Sequence, residues 1–387
     1  MISRKPFRKF SNYLWGAVSE AVAPMLRGLA NTCSRGQTTP RHLWRRGLIL
    51  GHTRIGDLLY RTCSLEYLKH GLADCDWHYL AAEDSGEVLR GNPFLESVLP
   101  LCATTASLRL ADGAMEKLRK LDFDVALCTN AESYWLDLSL ALRLRIPNRV
   151  AFVHRGLSGL VTHPVSCRYP SAWPAYFRDL VASVTGTPPD WPLVPRIYAS
   201  QEDERAAEIL WNKLQLRPAS PVLVCFMTTR EKSLIWPRDC YHKALALVQS
   251  NRPTQIVLAG SRGDQTDLTD FARQCEFGCH VAAGELNLRA LCSFLRRCDG
   301  VLAPDSGSRH IANAAGTPVV FIRNLFCSKV ETGKYCENEI DISPDVEFIA
   351  PEEQEQYLRQ VTPENAAHAI LKALAKPRQL AKVNRSI

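Results

Sequence analysis

Four short stretches combine residue types and spacings that could do chemistry. The first is Gly51-His-Thr-Arg-Ile-Gly-Asp57, which follows an apolar segment and ends on a carboxylate. Asp57 has two readings there: a first-turn acid held by the dipole of the helix that follows, or a general base at the mouth of a sheet. Position alone leaves both open. One chemistry is disfavoured, because Gly51 and Gly56 are too far apart for a dinucleotide fingerprint and no third glycine follows. The second stretch is Ala303-Pro-Asp-Ser-Gly-Ser-Arg-His310. Small polar residues between a strand and a helix can hold a phosphate: first-turn N–H groups point outward and Gly307 lets an anion approach. Ser306 adds a hydroxyl. The competing reading is an ordinary N-cap at Asp305. The third, Ala259-Gly-Ser-Arg-Gly-Asp264, offers Gly260, Ser261 and Asp264 on a similar turn. Two such turns in one domain favour a nucleotide. The fourth is Thr228-Thr-Arg-Glu-Lys232. Its hydroxyls (Thr228, Thr229) and cations (Arg230, Lys232) could bind a diphosphate, or form a solvated loop.

Two other patterns look like metal sites and read better as structure. Asp122-Phe-Asp124 has a D-x-D form, but it opens the apolar run 125–128, so Asp124 marks a strand entry. Cys275, Cys279, Cys292 and Cys298 could gather, but Cys292 lies in the helical apolar pattern Leu288, Leu291, Leu295. Core thiols are the simpler account.

These stretches need elements to hold them. From residue 47, short apolar runs alternate with helical spacing. Strands are predicted at 47–51, 77–81, 124–128 and 150–153, with helices at 57–70 and 136–144. The segment 187–195 holds four prolines and reads as an interdomain linker. Alternation then restarts, with strands at 222–226, 255–258, 279–281, 300–303 and 318–322. Helices are expected at 201–214, 239–248, 265–275, 288–297, 306–315 and 363–375. Such repeats indicate two α/β, Rossmann-like, doubly wound domains, with ligands at the carboxyl ends of strands facing a cleft.

Charge is uneven. Of 47 basic and 40 acidic residues, nine basic ones and only Glu20 fall within residues 1–46. The rest of the chain is near neutral, so a chain-wide nucleic-acid footprint is excluded. Phe7, Phe10, Leu14, Ala17, Val18, Ala21 and Val22 fall on one helical face behind Arg4, Lys5, Arg8 and Lys9. That pattern suits a helix lying on anionic lipid. A surface helix packed on the body is the alternative. No run of 18 apolar residues occurs, so no transmembrane helix is expected. The fourteen scattered cysteines read as free thiols in a reducing compartment.

Together these motifs resemble glycosyltransferase family 9, the ADP-heptose:lipopolysaccharide heptosyltransferases. Ile55-Gly56-Asp57-Leu58-Leu59 matches the family's first turn. Asp305-Ser306-Gly307-Ser308-Arg309-His310-Ile311-Ala312 and Gly316-Thr317-Pro318-Val319 match its second signature. Thr228-Thr229-Arg230, Trp236-Pro237, Gly91-Asn92-Pro93 and Phe123-Asp124 also stand in the family order, over residues 46–345. The resemblance implies a GT-B fold and inverting transfer with neither a metal nor a cofactor. Asp57 would then be the general base. Ser306 and Gly307, with Lys232 and Arg230, would bind the diphosphate. Asp305 would lie near the sugar hydroxyls and Asp264 near the ribose, with His310 structural behind the phosphate helix. The chain departs from the pattern at Leu234, where the family has lysine, at Cys63 and at Arg323-Asn324-Leu325.

The expected layout is a basic amphipathic extension (1–46), an acceptor domain (47–195), a nucleotide-sugar domain (196–345) and a C-terminal helical segment (346–387). The expected activity is heptose transfer, or transfer of a related sugar, from a nucleotide-sugar to a glycolipid of the lipopolysaccharide-core type. The expected place is the cytoplasmic face of a Gram-negative inner membrane, held through residues 1–46. A different donor serving surface polysaccharide or protein glycosylation is the second reading. A non-catalytic nucleotide-binding assembly partner is the third.

Overall fold

The computed structural model describes residues 20–34, 37–51, 54–101, 113–131, 134–229 and 232–376. Two compact units divide the chain between Pro192 and Leu193.

Unit 1 begins with helix α1 (Ala23–Cys33), followed by β1 (Arg46–Leu50), α2 (Ile55–Thr62), α3 (Leu65–Gly71), β2 (Asp76–Ala81) and β3 (Ser97–Pro100). After these come α4 (Ala114–Lys120), β4 (Val125–Cys128), α5 (Tyr134–Arg143), β5 (Asn148–Phe152), β6 (His163–Val165) and α6 (Trp173–Thr185). The strands form one parallel sheet in the order β3-β2-β1-β4-β5-β6. Its two central strands, β1 from Gly47 onward and β4, are apolar on both faces and buried, as a sheet covered by helices on both sides requires.

The spacing predicts one helix over 57–70, but the structure has two. The break falls at Cys63–Ser64, where Ser64 leaves helical geometry at φ −127°. The Ser64 hydroxyl is buried and accepts the Trp191 indole N–H at 3.2 Å. Trp191 also stacks on Tyr67 with ring centroids 4.2 Å apart. The first half of the proline-rich segment is thus anchored in unit 1, and the segment has neither helix nor strand.

Where it is described, the basic N-terminal stretch is tied to the rest of unit 1. Thr39 N–H donates to Asn148 Oδ1 at 3.1 Å, and the Asn148 amide returns a bond to the Thr39 hydroxyl. Trp44 is buried edge-on to His163. The Arg149 guanidinium reaches the Ser34 hydroxyl at 2.9 Å. Ser158 donates its N–H and its hydroxyl to the Glu20 carboxylate. Gly159 is required beside α1, since a Cβ there would stand 2.2 Å from the Ala23 carbonyl oxygen. Of the amphipathic pattern read from Phe7 to Val22, the part up to residue 19 lies outside the described residues.

Unit 2 comprises α7 (Gln201–Lys213), β7 (Val222–Phe226), α8 (Arg238–Asn251), β8 (Gln255–Ala259), α9 (Gln265–Gln274) and β9 (His280–Val281). It continues through α10 (Leu288–Leu295), β10 (Gly300–Pro304), α11 (Gly307–Ala315), β11 (Val319–Ile322), β12 (Glu339–Asp341) and α12 (Pro363–Leu374). Its parallel sheet has the order β12-β11-β10-β7-β8-β9. The C-terminal helix is part of this unit's core: Ala366, Ile370, Ala373 and Leu374 pack with Leu223, Leu245 and Leu302. Trp236 is buried and donates its indole N–H to the Leu358 and Val361 carbonyls, both at 3.1 Å. Cys292 is fully buried on α10. None of the helices among the described residues is long and apolar enough to cross a membrane.

Candidate functional site

Both units share one topological feature. In each sheet the chain runs outward from its first strand and then returns to build the other side. The strand order therefore reverses between β1 and β4 in unit 1, and between β7 and β10 in unit 2. Loops leaving the carboxyl ends of such a pair part in opposite directions and open a crevice.

In unit 1 that crevice lies above β1 and β4. The turn after β1 delivers Asp57, half-buried, to the first turn of α2. Asp57 lines a narrow recess with Tyr60, Arg61, Thr129, Ala131, Trp173, Tyr176 and Phe177. Beneath it, Arg61 is buried one turn further along α2. Its Nε donates to Thr129 Oγ1 at 2.6 Å and its NH1 to the Asp57 main-chain carbonyl. The Thr129 hydroxyl donates onward to the Leu50 carbonyl at 2.7 Å. Gly51 is obligatory here, because a Cβ would stand 2.2 Å from Thr129 Oγ1 and 3.0 Å from the Arg61 guanidinium. Deeper still, Asp137 on α5 accepts the Asn130 N–H at 3.1 Å. Burial pushes its carboxyl up to about 7, against the pull of the Asn130 bond and the Arg61 charge.

In unit 2 the crevice lies above β7 and β10. Ser306 is the N-cap of α11, in extended geometry, and its side chain makes no capping bond. Its hydroxyl lies 2.7 Å from that of Ser308. The first turn of α11 thus presents two hydroxyls, Gly307 and outward N–H groups. Thr228 and Thr229 follow β7, across the same reversal, and are half-buried.

Asp305 is not the N-cap that the sequence allowed. Its Oδ1 accepts Arg309 NH1 at 2.8 Å and its Oδ2 the Asn324 N–H at 3.0 Å. Burial raises the Asp305 pKa, with Arg309 opposing. Arg309 is wholly buried. It also donates to Glu339 Oε1 at 2.6 Å and to the Thr332 and Gly333 carbonyls, with its guanidinium 3.5 Å above the Phe321 ring. His310 shares a hydrogen bond with the Tyr335 hydroxyl at 2.7 Å. Burial first, and the Arg309 charge second, lower its pKa well below the usual range, so the ring is neutral.

The remaining candidates spread outward. Gly260, Ser261 and Asp264 form the turn after β8, where Asp264 Oδ2 accepts both the Ser261 N–H (2.7 Å) and its hydroxyl (2.6 Å). That oxygen of Asp264 closes the turn. Lys232 is exposed in a single 3₁₀ turn, Lys232–Leu234. Arg230 lies outside the described residues. Asp124 Oδ2 accepts the Arg45 and Arg46 N–H groups at 2.7 and 2.8 Å, so it fixes the entry to β1.

Three features escaped the sequence reading. Arg61 and Arg309 each stand four residues after a singled-out aspartate, which places them one helical turn behind it. That spacing was the available signal. The aromatic wall of α6 (Trp173, Tyr176, Phe177) gave none, because Asp57 and α6 are far apart in sequence.

Residues 173–340 match the family model described as glycosyltransferase family 9 (heptosyltransferase). Over 159 residues, 34% of the chain, the sequence is 31% identical to lipopolysaccharide heptosyltransferase 2 of Salmonella typhimurium, spanning 45% of that relative's length. The fold is similar to that of a glycosyltransferase family 9 protein from Veillonella parvula, with TM-score 0.75 and 16% identity over 88% of this chain and 99% of that one. It is also similar to the ADP-heptose lipopolysaccharide heptosyltransferase II of E. coli, with TM-score 0.68 and 17% identity over 85% and 98%.

Proposed function

We propose, from the match of residues 173–340 to the glycosyltransferase family 9 (heptosyltransferase) model, that the protein is an inverting, metal-independent transferase. It moves heptose, or a related sugar, from a nucleotide-sugar to a hydroxyl of a lipopolysaccharide-core-type glycolipid. ADP-heptose is the donor we favour, since the E. coli structural relative is an ADP-heptose lipopolysaccharide heptosyltransferase. The Salmonella relative supports the acceptor class.

The observation that carries the reading is that each strand-order reversal bears the group its half of the reaction needs. A carboxylate stands at one and a phosphate-type helix N-terminus at the other. Asp57 takes the proton of the acceptor hydroxyl as its oxygen bonds to the anomeric carbon. The bond from that carbon to the diphosphate oxygen breaks, and its electron pair leaves on the diphosphate. Attack opposite the leaving group inverts the centre. The charge developing on the diphosphate is met by the first turn of α11, by Ser306 and by Lys232. Thr228 and Thr229 hold the donor, and Asp264 contributes its second carboxylate oxygen to the ribose. Asp305 serves differently from the family-based expectation, as an inward brace for α11.

The reading extends to location. Exposed Val22, Met25 and Leu29 run along α1, whose Ala23 and Ala30 are buried. Arg27, Arg41, Arg45 and Arg46 are also exposed. Apolar side chains beside cations support contact with the anionic cytoplasmic face of an inner membrane.

The test is a calorimetric comparison of ADP-heptose, UDP-sugars and GDP-sugars, followed by transfer assays. ADP-heptose binding with transfer supports the proposal. Binding of UDP- or GDP-sugars alone would replace the donor, and nucleotide binding without transfer to any glycolipid would favour an assembly role.

A further inference from the structure

The proline-rich segment has little slack where it passes from one unit to the next. Trp191 is tied into unit 1 and Leu193 into unit 2, with Pro192 between them. Trp191 is 4% exposed, stacks on Tyr67 and gives its indole N–H to the Ser64 hydroxyl. Ser64 stands just past the end of α2. Its own N–H donates to the Arg61 carbonyl at 3.1 Å, and the Arg61 guanidinium donates to the Asp57 carbonyl. Trp191 therefore bears on the end of the helix whose first turn carries Asp57.

In unit 2 the Leu193 carbonyl accepts the Cys336 thiol at 3.1 Å, and the Ile197 carbonyl accepts Arg296 NH2 at 3.0 Å. The N–H groups of Cys336 and Tyr335 donate to Glu339 Oε2 at 3.1 and 2.8 Å. The other Glu339 oxygen accepts Arg309 Nε at 2.6 Å and the Asn313 amide at 2.7 Å, both from α11. One buried carboxylate thus joins the loop that grips Leu193 to the helix with the phosphate-type N-terminus. Proline holds φ at about −65°, and two residues of extended chain reach at most about 7 Å. A segment this short and stiff transmits a displacement of one anchor to the other.

We propose that Trp191 and Leu193 are positioning residues, the two ends of a strap through which occupation of the α11 N-terminus sets the placement of α2 and so of Asp57. The catalytic meaning of the strap rests on the proposed roles of Asp57 and α11; the link between the two helices does not.

The test uses the full chain labelled with fluorotryptophan, in which loss of one fluorine NMR signal in Trp191→Phe identifies Trp191. ADP should move that signal. Cys336→Ala, which removes the thiol donor and no charge, should cut the movement by at least half, with ADP affinity within about twofold. A signal that ADP binding leaves in place, or that moves equally far in Cys336→Ala, overturns the link. A second arm needs no nucleotide. Asn313→Ala removes one Glu339 contact on α11 and should move the Trp191 signal, but not in a Cys336→Ala background. An unmoved signal there overturns the link whether or not ADP binds. In transfer assays Trp191→Phe keeps a ring beside Tyr67 and loses the N–H. It and Cys336→Ala should each lower kcat about fivefold with donor KM retained, a coupling of ordinary size. The double variant should lose no more than either single one, whereas independent effects in separate units add. Additive losses assign both residues to local packing and overturn the strap. Asp57→Asn separates this inference from the proposed function. Near-normal transfer in Asp57→Asn, with a Cys336-dependent movement of Trp191, ends the base reading and leaves the link. Lost transfer in Asp57→Asn with an unmoved Trp191 ends the link alone.

Discussion

Replacing Arg309 by leucine should damage unit 2 in a way that depends on pH. The guanidinium is wholly buried between Asp305 and Glu339. It also satisfies the Thr332 and Gly333 carbonyls. Leucine fills much of the volume but leaves two carboxylates without their shared cation. Breaking a buried ion pair from one side costs about 3–5 kcal/mol. For a unit of this size each kcal/mol moves the melting temperature by about 2–4 °C, so a fall of roughly 6–20 °C is expected. The sign of the pH dependence follows from Asp305. Burial already holds its folded pKa above its unfolded value, and Arg309 is the main opposing influence. Without Arg309 the folded pKa rises further. An acid with a raised folded pKa costs nothing below its unfolded pKa, and the cost grows as pH rises towards the folded value. The gap between wild type and variant should therefore be smaller at pH 5 than at pH 8. Differential scanning calorimetry across that range measures it. A gap under about 1 kcal/mol, or one that widens towards pH 5, would refute the buried-triad account.

Further expectations follow from the other contacts. Asp137→Asn keeps an acceptor for the Asn130 N–H but removes a carboxyl held near 7. Wild-type unit 1 should lose up to about 4 kcal/mol between pH 4 and 7 from this group, and the variant should show a flatter stability profile in urea titrations. Gly51→Ala drives a methyl into Thr129 and Arg61; transfer should fall at least tenfold with ADP binding intact, and wild-type rates would contradict the packing under Asp57. Met25→Glu with Leu29→Glu alters exposed positions only. Flotation with anionic liposomes should drop severalfold while transfer to a soluble acceptor fragment is retained; unchanged flotation would remove α1 from the membrane contact. Deleting residues 1–45 is a different perturbation, since Thr39, Trp44 and Glu20 brace unit 1, and it should lower stability as well.

Much of the fold was legible because parallel strands buried on both faces read as apolar runs, as 222–226 and 125–128 do. The strands that escaped are edge strands. β6 contains Pro164 and β12 is Glu-Ile-Asp, compositions that only an edge position tolerates or that a polar contact explains. The break between α2 and α3 was hidden because Ser64 leaves the helix to receive Trp191, 127 residues away. At the sites, turns and helix starts are local and could be read from spacing. What Asp305 does could not, because Asn324, just past β11, and Glu339 on β12 reach its network from far along the chain. The N-terminal stretch was legible only in part for the same reason: charge arithmetic sees nine cations, but not the bonds that tie Thr39 to Asn148 and Ser34 to Arg149.

The central claim is that Asp57 removes the acceptor proton in sugar transfer. It is tested most directly by single-turnover transfer from ADP-heptose, comparing wild type with Asp57→Asn and measuring ADP affinity of both. A lost general base should slow transfer by about 10²–10⁴-fold, with ADP affinity within about twofold and an inverted anomeric centre in the wild-type product. A variant within tenfold of the wild-type rate, or a product with retained configuration, would contradict it.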